Sequence, residues 1–382
     1  MVYEILGPRK IIAGENSITS VPNETKNLKG GNPLIVTDAG IVKTGLLNRL
    51  TSLLDAEKIR YKVFSEVEPD PEIAIMEKGK TLVCEGRHDL ILALGGGSSI
   101  DTAKVISFLA TNEGTVKDYW GIVTFKNDPL PIIAIPTTAG TGSEATLVAI
   151  VTDKENKIKL PIRSAQFLPK AVVLDPALLK SLPPEFIVYP GIDAFTHAIE
   201  SFISLKSSLF TEHLSLAATK LIYHTLVAFK ENPKDTQLAF KMLYGSYLAG
   251  SAFTNGGLTA VHALAHPIGS HYHLSHGLTC ALFLCNVLKE NKDAVIDKYV
   301  MLFETLGLKK NGLSDENCAD RFIEAVEEFM KKLGIPSSLK SMGIKHEVVP
   351  QMIEDALKNP ALLGNPKKLD RNRIAWLFES VR

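Results

Sequence analysis

The first half of the chain alternates short apolar runs with longer segments of helical spacing. Buried-strand patterns occur in NPLIVTDAG, IRYKVFS, DLILALG, PLPIIAIP and PKAVVLDP, and helical spacing follows several of them, as in VKTGLLNRLTSLL and PEIAIMEKGKTLVCEG. Apolar strands that alternate with helices are typical of a parallel sheet covered on both faces. The pattern therefore predicts an α/β unit with a mostly parallel sheet. The segment VAIVTDKENKIKL departs from it and predicts a β-hairpin that turns at 154–156.

From about residue 183 onward the strand patterns disappear, and apolar residues recur every three or four positions. This spacing predicts helices over 191–204, 210–229, 236–253, 259–266, 277–290, 295–306, 316–333 and 347–357. Pro183 and Pro184 mark the change, because proline disfavours helical geometry in the residue before it. We therefore predict an α/β domain in residues 1–182 and an all-helical domain in residues 183–382.

The amino-acid composition limits the classes of protein to which this chain can belong. A chain of 382 residues, 45% hydrophobic and 22% charged, is typical of a globular enzyme with two sizeable cores. Lysine plus arginine and aspartate plus glutamate both number 42, which argues against nucleic acid or a membrane as partner. The N-terminus lacks a signal-peptide pattern and no cysteines form a CxxC pair, so we expect a cytoplasmic protein with reduced thiols. Cys280 and Cys285 are expected in the core rather than as ligands.

A glycine-rich loop follows one predicted strand and precedes a helix in LGGGSSIDTAK. Gly95, Gly96 and Gly97 leave room for a phosphate, and the next helix would present free N–H groups to it. The run does not match GxGxxG, so a simple tight turn remains the alternative. Ser98 and Asp101 could contact the same ligand, or they could form an acidic version of a capping box.

Polar groups also follow two other predicted strands. Asp38 could accept hydrogen bonds from a ribose and would repel a 2′-phosphate, which favours NAD over NADP; an ordinary turn aspartate is the alternative. The loop PTTAGTGSEAT offers the hydroxyls of Thr137, Thr138, Thr141 and Ser143 to a pyrophosphate or ribose, with a solvated turn as the alternative. The three loops together indicate a dinucleotide cofactor better than any one of them does.

A carboxylate and an imidazole stand one helical turn apart in PGIDAFTHAIESF. Asp193 and His197 are separated by four residues and therefore lie together on one stripe of the predicted helix. Such a pair can supply two ligands to a metal. Taken alone, a hydrogen-bonded Asp/His pair without a metal is the commoner outcome.

The stretch VHALAHPIGSHYHLSH holds five of the ten histidines. His262 and His266 repeat the four-residue spacing, and Pro267 predicts that their helix ends or kinks at His266. His276 is expected at the entrance to the next helix. Together with the Asp/His pair, these residues could form a site of one carboxylate and up to three imidazoles for Fe²⁺, Zn²⁺ or another divalent metal.

Five motifs, GGGSSIDTAK, PTTAGTGSE, GIDAFTHAIE, NGGLTAVHALAHPIG and HGL, occur in an order and spacing that resemble the iron-containing (group III) alcohol dehydrogenases. The resemblance covers nearly the whole chain. It implies the architecture shared with dehydroquinate synthase, with an NAD(P)-binding α/β domain in residues 1–182 and a helical metal-binding, catalytic domain in residues 183–382. It also implies a homodimer, NAD or NADP as cofactor, and one divalent metal, Fe²⁺ ahead of Zn²⁺.

The resemblance further implies roles for single residues. The metal ligands would be Asp193, His197, His262 and His276. His266 would be a catalytic, non-ligand histidine beside the substrate and the nicotinamide. Its cofactor positions match Asp38, Gly96, Gly97, Ser98, Thr137, Thr138 and Lys159, to which the loop patterns add Gly95, Asp101 and Ser143. The substrate pocket would include Val148, Phe253 and Leu258.

Several of these positions keep an alternative. Lys159 could be only an exposed hairpin lysine, and Phe253 a residue of the helical core. Val148 stands where some relatives have asparagine, and Cys285 replaces a frequent proline. The stretch SHYHLSH is also richer in histidine than most versions of the motif, and we expect its histidines at 271 and 273 to be exposed loop residues rather than pocket residues.

The resulting hypothesis is a reversible interconversion of small primary alcohols or diols and aldehydes. The metal would act as a Lewis acid, hydride would pass to or from the nicotinamide, and His266 would pass a proton to or from solvent. A dehydroquinate-synthase-like lyase or a glycerol-dehydrogenase-like enzyme on the same fold is the alternative. A non-catalytic metal-binding protein is disfavoured because three cofactor loops accompany the ligands.

Overall fold

The computed structural model describes residues 3–155, 158–180, 182–345 and 347–382, so the predicted turn at 154–156 lies partly outside the described residues. The strands are β1 Ile11–Ala13, β2 Leu34–Asp38, β3 Lys62–Val67, β4 Ile91–Gly95, β5 Gly121–Ile122, β6 Ile132–Pro136, β7 Val148–Asp153, β8 Ile158–Arg163 and β9 Ala171–Leu174. The helices are α1 Val21–Asn27, α2 Ala39–Thr44, α3 Leu46–Ala56, α4 Ile73–Gly86, α5 Gly97–Leu109, α6 Glu185–Ile203, α7 Leu209–Glu231, α8 Thr236–Gly256, α9 Ala260–Tyr272, α10 His276–Asn291, α11 Ile296–Thr305, α12 Asp315–Leu333, α13 Pro350–Lys358 and α14 Arg371–Ser380.

The chain divides into two compact units. One comprises Leu6–Leu182 and Lys234–Leu243, and the other comprises the first residues up to Ile5, Pro183–Pro233 and Tyr244–Arg382. The main boundary between the two units lies between residues 182 and 183. The short segment Lys234–Leu243 belongs to the α/β unit. The assignment of NAD binding to residues 1–182 and of metal binding to residues 183–382 stays a prediction.

The α/β unit is built on a six-stranded sheet in the order β1-β9-β6-β4-β2-β3, and all neighbouring strands are parallel. The central strands are continuous buried apolar runs, as in Leu34–Val36 and Ile91–Leu94, because helices cover them. The predicted fold class is therefore confirmed. Since β2, β4 and β6 are neighbours that run in the same direction, the loops that follow them emerge side by side at one edge of the sheet.

A second, three-stranded sheet has the order β5-β8-β7. Strands β7 and β8 pair antiparallel, so the predicted hairpin strands are confirmed. The segment VKTGLLNRLTSLL forms two helices rather than one, because Gly45 adopts a left-handed φ of 80° between α2 and α3. The short strands β1 and β5 and helix α1 were not predicted, since segments of two to seven residues carry little periodicity.

In the helical unit, the eight predicted helices correspond to α6–α13. Helix α9 does not end at His266, since it continues through Pro267 to Tyr272, and the alternative of a kink there stays a prediction. Proline costs a helix one backbone N–H donor. Both Pro267 and Ile268 are buried in the continued helix, and this burial offsets the cost. Helix α14 was not predicted. Among the described residues, no helix combines the length and apolar character that crossing a membrane requires.

Candidate active site

The glycine loop lies between β4 and α5, with Gly96 as the N-cap of the helix. Gly95 has a φ of 154°, which favours glycine. A Cβ atom on Gly97 would lie 2.8 Å from the Thr141 side chain, and one on Gly96 would lie 3.3 Å from Thr138 Oγ1. The glycine and threonine loops therefore approach too closely for larger residues. Their backbone and the N-terminal N–H groups of α5 fit a phosphate group.

The capping box predicted for Ser98 and Asp101 is wrong. The helix begins two residues earlier than that motif requires, with Gly96 as N-cap and no side-chain capping bond. Asp101 instead accepts hydrogen bonds from Ser143 Oγ and, at 3.0 Å, from the Ile150 N–H. These bonds attach the threonine-containing loop to α5. A cofactor contact by Asp101, Ser98 or Ser143 stays a prediction.

Lys104 lies beneath this loop and is fully buried. Its ammonium donates to the carbonyl oxygens of Ser143 and Val148 at 2.8 and 2.7 Å, and it lies 3.8 Å from Asp101 Oδ1. Burial lowers the pKa of Lys104 to about 8, against the opposing charges of Asp101 and Glu144. Burial also raises the pKa of Glu144 to about 7. This group was not predicted from the sequence, although a lysine in the apolar face of DTAKVISFLA was a usable signal.

Asp38 ends β2 and caps α2. Its Oδ1 accepts a hydrogen bond from the Ile41 N–H at 3.0 Å, and its Oδ2 accepts one from Ser99 Oγ at 3.4 Å. The side chain is half-buried at the sheet edge beside the glycine loop. Asp38 therefore acts as a turn aspartate, and its carboxylate keeps lone pairs that could accept hydrogen bonds from a ribose. The ribose contact stays a prediction.

The remaining predicted cofactor residues lie in the threonine-containing loop and on the second sheet. The Thr137 N–H donates to the Gly95 carbonyl at 3.0 Å, which holds the start of the threonine loop against the glycine loop. Lys159 lies on β8 in the second sheet, where its ammonium pairs with Asp70 at 2.5 Å. Val148 begins β7 and is half-buried. Contacts of Lys159 with a cofactor and of Val148 with a substrate stay predictions.

The four predicted metal ligands meet in the helical unit. Helix α6 carries Asp193 and His197, α9 carries His262, and α10 begins at His276 as predicted. The Nε2 atoms of His197, His262 and His276 lie 3.6, 3.6 and 3.5 Å from Asp193 Oδ1. Three imidazoles from three helices thus face one carboxylate oxygen.

This arrangement fits a divalent metal. Asp193 Oδ1 is buried and has no hydrogen-bond partner among the described residues, which is costly for a carboxylate unless a cation is bound there. Metal–ligand bonds of about 2.0–2.2 Å place neighbouring ligand atoms of a tetrahedral site about 3.3–3.6 Å apart. The separations of 3.5 and 3.6 Å are close to that range.

The charge states of two of these four residues, Asp193 and His197, also suit metal binding. Burial raises the pKa of Asp193, but the positive charges of His197, His276 and His262 outweigh burial and bring this pKa below its ordinary value. Burial lowers the pKa of His197 to about 4. At neutral pH Asp193 is therefore ionised and His197 is neutral, which are the forms that bind a metal.

Glu200 holds one of these histidines in place. One carboxylate oxygen of Glu200 pairs with His262 Nδ1, and the other accepts from Thr259 Oγ1 at 2.5 Å and the Val261 N–H at 2.7 Å. With Nδ1 engaged, His262 presents Nε2 to Asp193. Glu200 was not predicted as a site residue. Its position seven residues after Asp193, two turns along the same helical stripe, was the available signal.

A glycine next to His276 brings α10 close to α6. A Cβ atom on Gly277 would overlap the carbonyl oxygen of Tyr189 on α6. No larger residue fits between the two backbones without a shift. The HGL motif therefore has a packing reason as well as a ligand.

His266 lies beside this cluster and is exposed. Its ring centroid is 5.2 Å from that of His276 and 6.3 Å from that of His262. The side-chain nitrogen of Asn359 lies 3.4 Å from His266 Nδ1, a contact that the sequence analysis missed. Separations in sequence of this size leave no local pattern to find.

The other predicted residues of the helical unit lie on α8 and α9 or next to the ends of these helices. The Phe253 ring packs on His197 at a centroid distance of 4.4 Å, so Phe253 contacts a predicted ligand. Leu258 is half-buried in the loop after α8. His271 and His273 are both exposed, as predicted, and His273 ends α9 with a left-handed φ of 54°. Pocket roles for Phe253 and Leu258 stay predictions.

Sequence comparisons agree with this fold. Residues 8–176 match the model of the iron-containing alcohol dehydrogenases, and residues 187–381 match the C-terminal model of the same family. The protein is therefore an oxidoreductase that acts on alcohols. It belongs to the iron-containing alcohol dehydrogenase family, which decides between the dehydrogenase and the lyase in favour of the dehydrogenase.

Individual relatives cover the whole length of the chain. The NAD-dependent methanol dehydrogenase of Bacillus methanolicus is 32% identical over 374 residues, 98% of each chain. The 1,3-propanediol dehydrogenase of Citrobacter freundii is 35% identical over 385 residues, which cover 100% of this chain and 99% of the relative. A crystal structure of a 1,3-propanediol oxidoreductase, 34% identical, superposes with a TM-score of 0.97 and complete coverage of both chains.

Proposed function

We propose that this protein is an NAD-linked, metal-dependent dehydrogenase that interconverts small primary alcohols or diols and aldehydes. The observation that carries the proposal is the convergence of three histidine Nε2 atoms on the buried, unpartnered Oδ1 of Asp193. The similarity to methanol and propanediol dehydrogenases supports the substrate class. When bound, a divalent metal (Fe²⁺, with Zn²⁺ as the alternative) would supply a Lewis acid, and NAD would exchange the hydride.

In this proposal the helical unit binds the metal. The ligands are Asp193, His197, His262 and His276. Neutral imidazoles and one carboxylate leave a net positive charge at the site, which favours an oxygen ligand from the substrate. Glu200 orients His262 through its Nδ1, so the ring cannot turn away from Asp193.

His266 moves the proton. It is exposed beside the ligand His276, so it can exchange protons both with the substrate hydroxyl and with solvent. The ordinary pKa of histidine lies near neutrality, which suits this exchange in both directions. Asn359 acts as a donor to His266 Nδ1 at 3.4 Å and thereby positions the ring.

The strand-end loops bind NAD. Gly95, Gly96, Gly97 and Ser98 receive the pyrophosphate at the start of α5, and Thr137 and Thr138 extend the same surface. Asp38 accepts hydrogen bonds from the adenosine ribose. A cytoplasmic homodimer, which the resemblance and the four free cysteines favour, completes the proposal. Sedimentation equilibrium of the purified protein tests the dimer.

The test is a coupled measurement of metal content and activity. Purified protein is analysed for bound metals and assayed for NADH and NADPH oxidation with formaldehyde, propionaldehyde, 3-hydroxypropionaldehyde and lactaldehyde. We expect about one metal ion per chain and reduction of aldehydes with NADH. Dihydroxyacetone is the control substrate, since turnover of this ketone alone would favour a glycerol-dehydrogenase-like enzyme and contradict the proposal.

Asp38→Asn is expected to shift the preference between the two coenzymes. Asparagine keeps an oxygen that can accept from the Ile41 N–H, so the cap on α2 survives, but it removes the charge that repels a 2′-phosphate. We expect the ratio of kcat/KM with NADPH to that with NADH to rise about tenfold or more, equivalent to about 1.4 kcal/mol. Asp55→Asn, at an exposed position on α3, is the control. An unchanged ratio would remove Asp38 from the cofactor site.

A further inference from the structure

Cys280 lies one helical turn after His276 on α10, and its side chain faces the histidines of the candidate metal centre. Its Sγ is 3.6 Å from His276 Nε2 and 3.7 Å from His262 Nε2. The side chain is fully buried, as predicted. Asp193, His262, His276 and Cys280 each offer one donor atom, and these four atoms all lie within 4.8 Å of one another. The sulfur is therefore part of the donor cluster.

The sulfur–nitrogen distances match those of shared metal ligands. Metal–nitrogen bonds of about 2.0–2.1 Å and metal–sulfur bonds of about 2.3 Å separate the two donors of a tetrahedral site by about 3.6 Å. Cys280 shows 3.6 and 3.7 Å to two different imidazoles. The spacing of His276 and Cys280, four residues apart on one helix, is the same two-ligand arrangement that Asp193 and His197 show on α6.

A hydrogen bond from a neutral Cys280 thiol explains these distances less well than a shared metal does. One S–H can serve only one of the two Nε2 lone pairs, whereas the sulfur is about equally close to both. His262 already engages Glu200 through Nδ1, which leaves its Nε2 lone pair directed into the cluster. Independently, the buried and unpartnered Asp193 Oδ1 requires a cation in the same space.

We propose that Cys280 binds the metal as a thiolate in addition to the four ligands Asp193, His197, His262 and His276; this inference rests on the proposed function, because it presupposes a divalent metal in the helical unit. On binding, the metal–sulfur bond forms, the S–H bond breaks, and the proton leaves to solvent. The thiolate would add a second negative charge to that of Asp193 and so reduce the positive charge of the bound ion. A soft sulfur donor shifts the preference of the site toward Zn²⁺ and away from Mg²⁺ and Mn²⁺.

X-ray absorption on zinc-loaded protein tests this directly. We expect a sulfur scatterer at about 2.3 Å from zinc in the wild-type protein. Cys280→Ser should lose the sulfur scatterer. Cys285→Ser, which removes a half-buried thiol from the same helix, should keep it. The wild-type spectrum decides the question by itself, so a Cys280 variant that failed to fold would leave the test intact.

The absorption spectrum of cobalt-loaded protein provides a second test of the sulfur ligand. Cobalt-loaded wild-type protein and Cys285→Ser should show a thiolate-to-cobalt charge-transfer band in the near ultraviolet, and Cys280→Ser should not. Zinc binding by Cys280→Ser, measured by competition with a chelating dye, should weaken at least about tenfold.

The outcomes separate the two proposals. A zinc shell of nitrogen and oxygen only, with one bound metal and aldehyde reduction intact, overturns the role of Cys280 and leaves the proposed function standing. Failure of the protein both to bind a metal stoichiometrically and to reduce any aldehyde overturns the proposed function, and the thiolate ligand with it.

Discussion

Replacing His262 by alanine is expected to lower kcat/KM for aldehyde reduction with NADH by at least about a thousandfold, equivalent to about 4 kcal/mol of transition-state stabilisation. The change removes a predicted ligand whose Nε2 lies 3.6 Å from Asp193 Oδ1. It also leaves the buried carboxylate of Glu200 without its imidazole partner. Metal content should fall together with activity, because the remaining donors hold the ion less tightly.

The matched control is His213→Ala, which removes an exposed imidazole from α7 of the same unit. Its activity and metal content should stay within about twofold of wild type, since surface substitutions typically change stability by less than about 0.5 kcal/mol. Circular dichroism and thermal melting verify the fold of both variants. Full activity of metal-free His262→Ala would contradict the metal-dependent mechanism.

Replacing Lys104 by methionine is expected to lower the free energy of unfolding by about 3–5 kcal/mol. The substitution keeps an unbranched chain of similar length but removes a fully buried ammonium. Asp101 and Glu144 then lose their buried cation, and the Ser143 and Val148 carbonyls lose a donor. Urea unfolding followed by circular dichroism measures the loss.

The same pair of proteins has a predicted pH dependence. Burial lowers the pKa of Lys104 from 10.5 to about 8 in the folded state. Between these values the unfolded chain binds the proton and the folded chain does not, so the free energy of unfolding rises with pH. The contribution of wild-type Lys104 should therefore increase by about 3 kcal/mol from pH 8 to pH 10.5, at about 1.36 kcal/mol per pKa unit. The methionine variant should lack this increase.

Lys117→Met is the control for both measurements. Lys117 forms an exposed ion pair with Glu155, and exposed pairs contribute little to stability. A Lys104→Met variant as stable as Lys117→Met, or a stability difference from wild type that stays flat between pH 8 and pH 10.5, would show that the buried ammonium has no such role.

Much of the site could be predicted because its parts are local. The pairs Asp193–His197 and His262–His266 are visible as four-residue spacings, and a helical period fixes which side chains share a stripe. The three strand-end loops follow apolar runs that are long enough to identify as strands. Long helices α6–α13 were found for the same reason, whereas the ten-residue α14 was missed although Ile374, Leu377 and Phe378 follow helical spacing.

Contacts between distant segments could not be predicted in this way. Glu200 and His262 are 62 residues apart, and His266 and Asn359 are 93 apart. Lys104 reaches Val148 across 44 residues. Such pairs form only when helices and strands pack against each other. That packing depends on the apolar surface that whole helix and sheet faces bury, and not on the few polar residues that it brings into contact.

By itself the sequence determined the α/β and helical halves and the family motifs, because periodicity and short spacings are properties of a single segment, and the resemblance that those motifs carry implied the predicted ligands. The tertiary structure alone decided that three imidazoles from α6, α9 and α10 face one oxygen of Asp193, that Glu200 orients His262, and that Cys280 faces the cluster rather than only the core. Closely packed helices, as Gly277 allows at Tyr189, set those directions, and no local pattern carries that information.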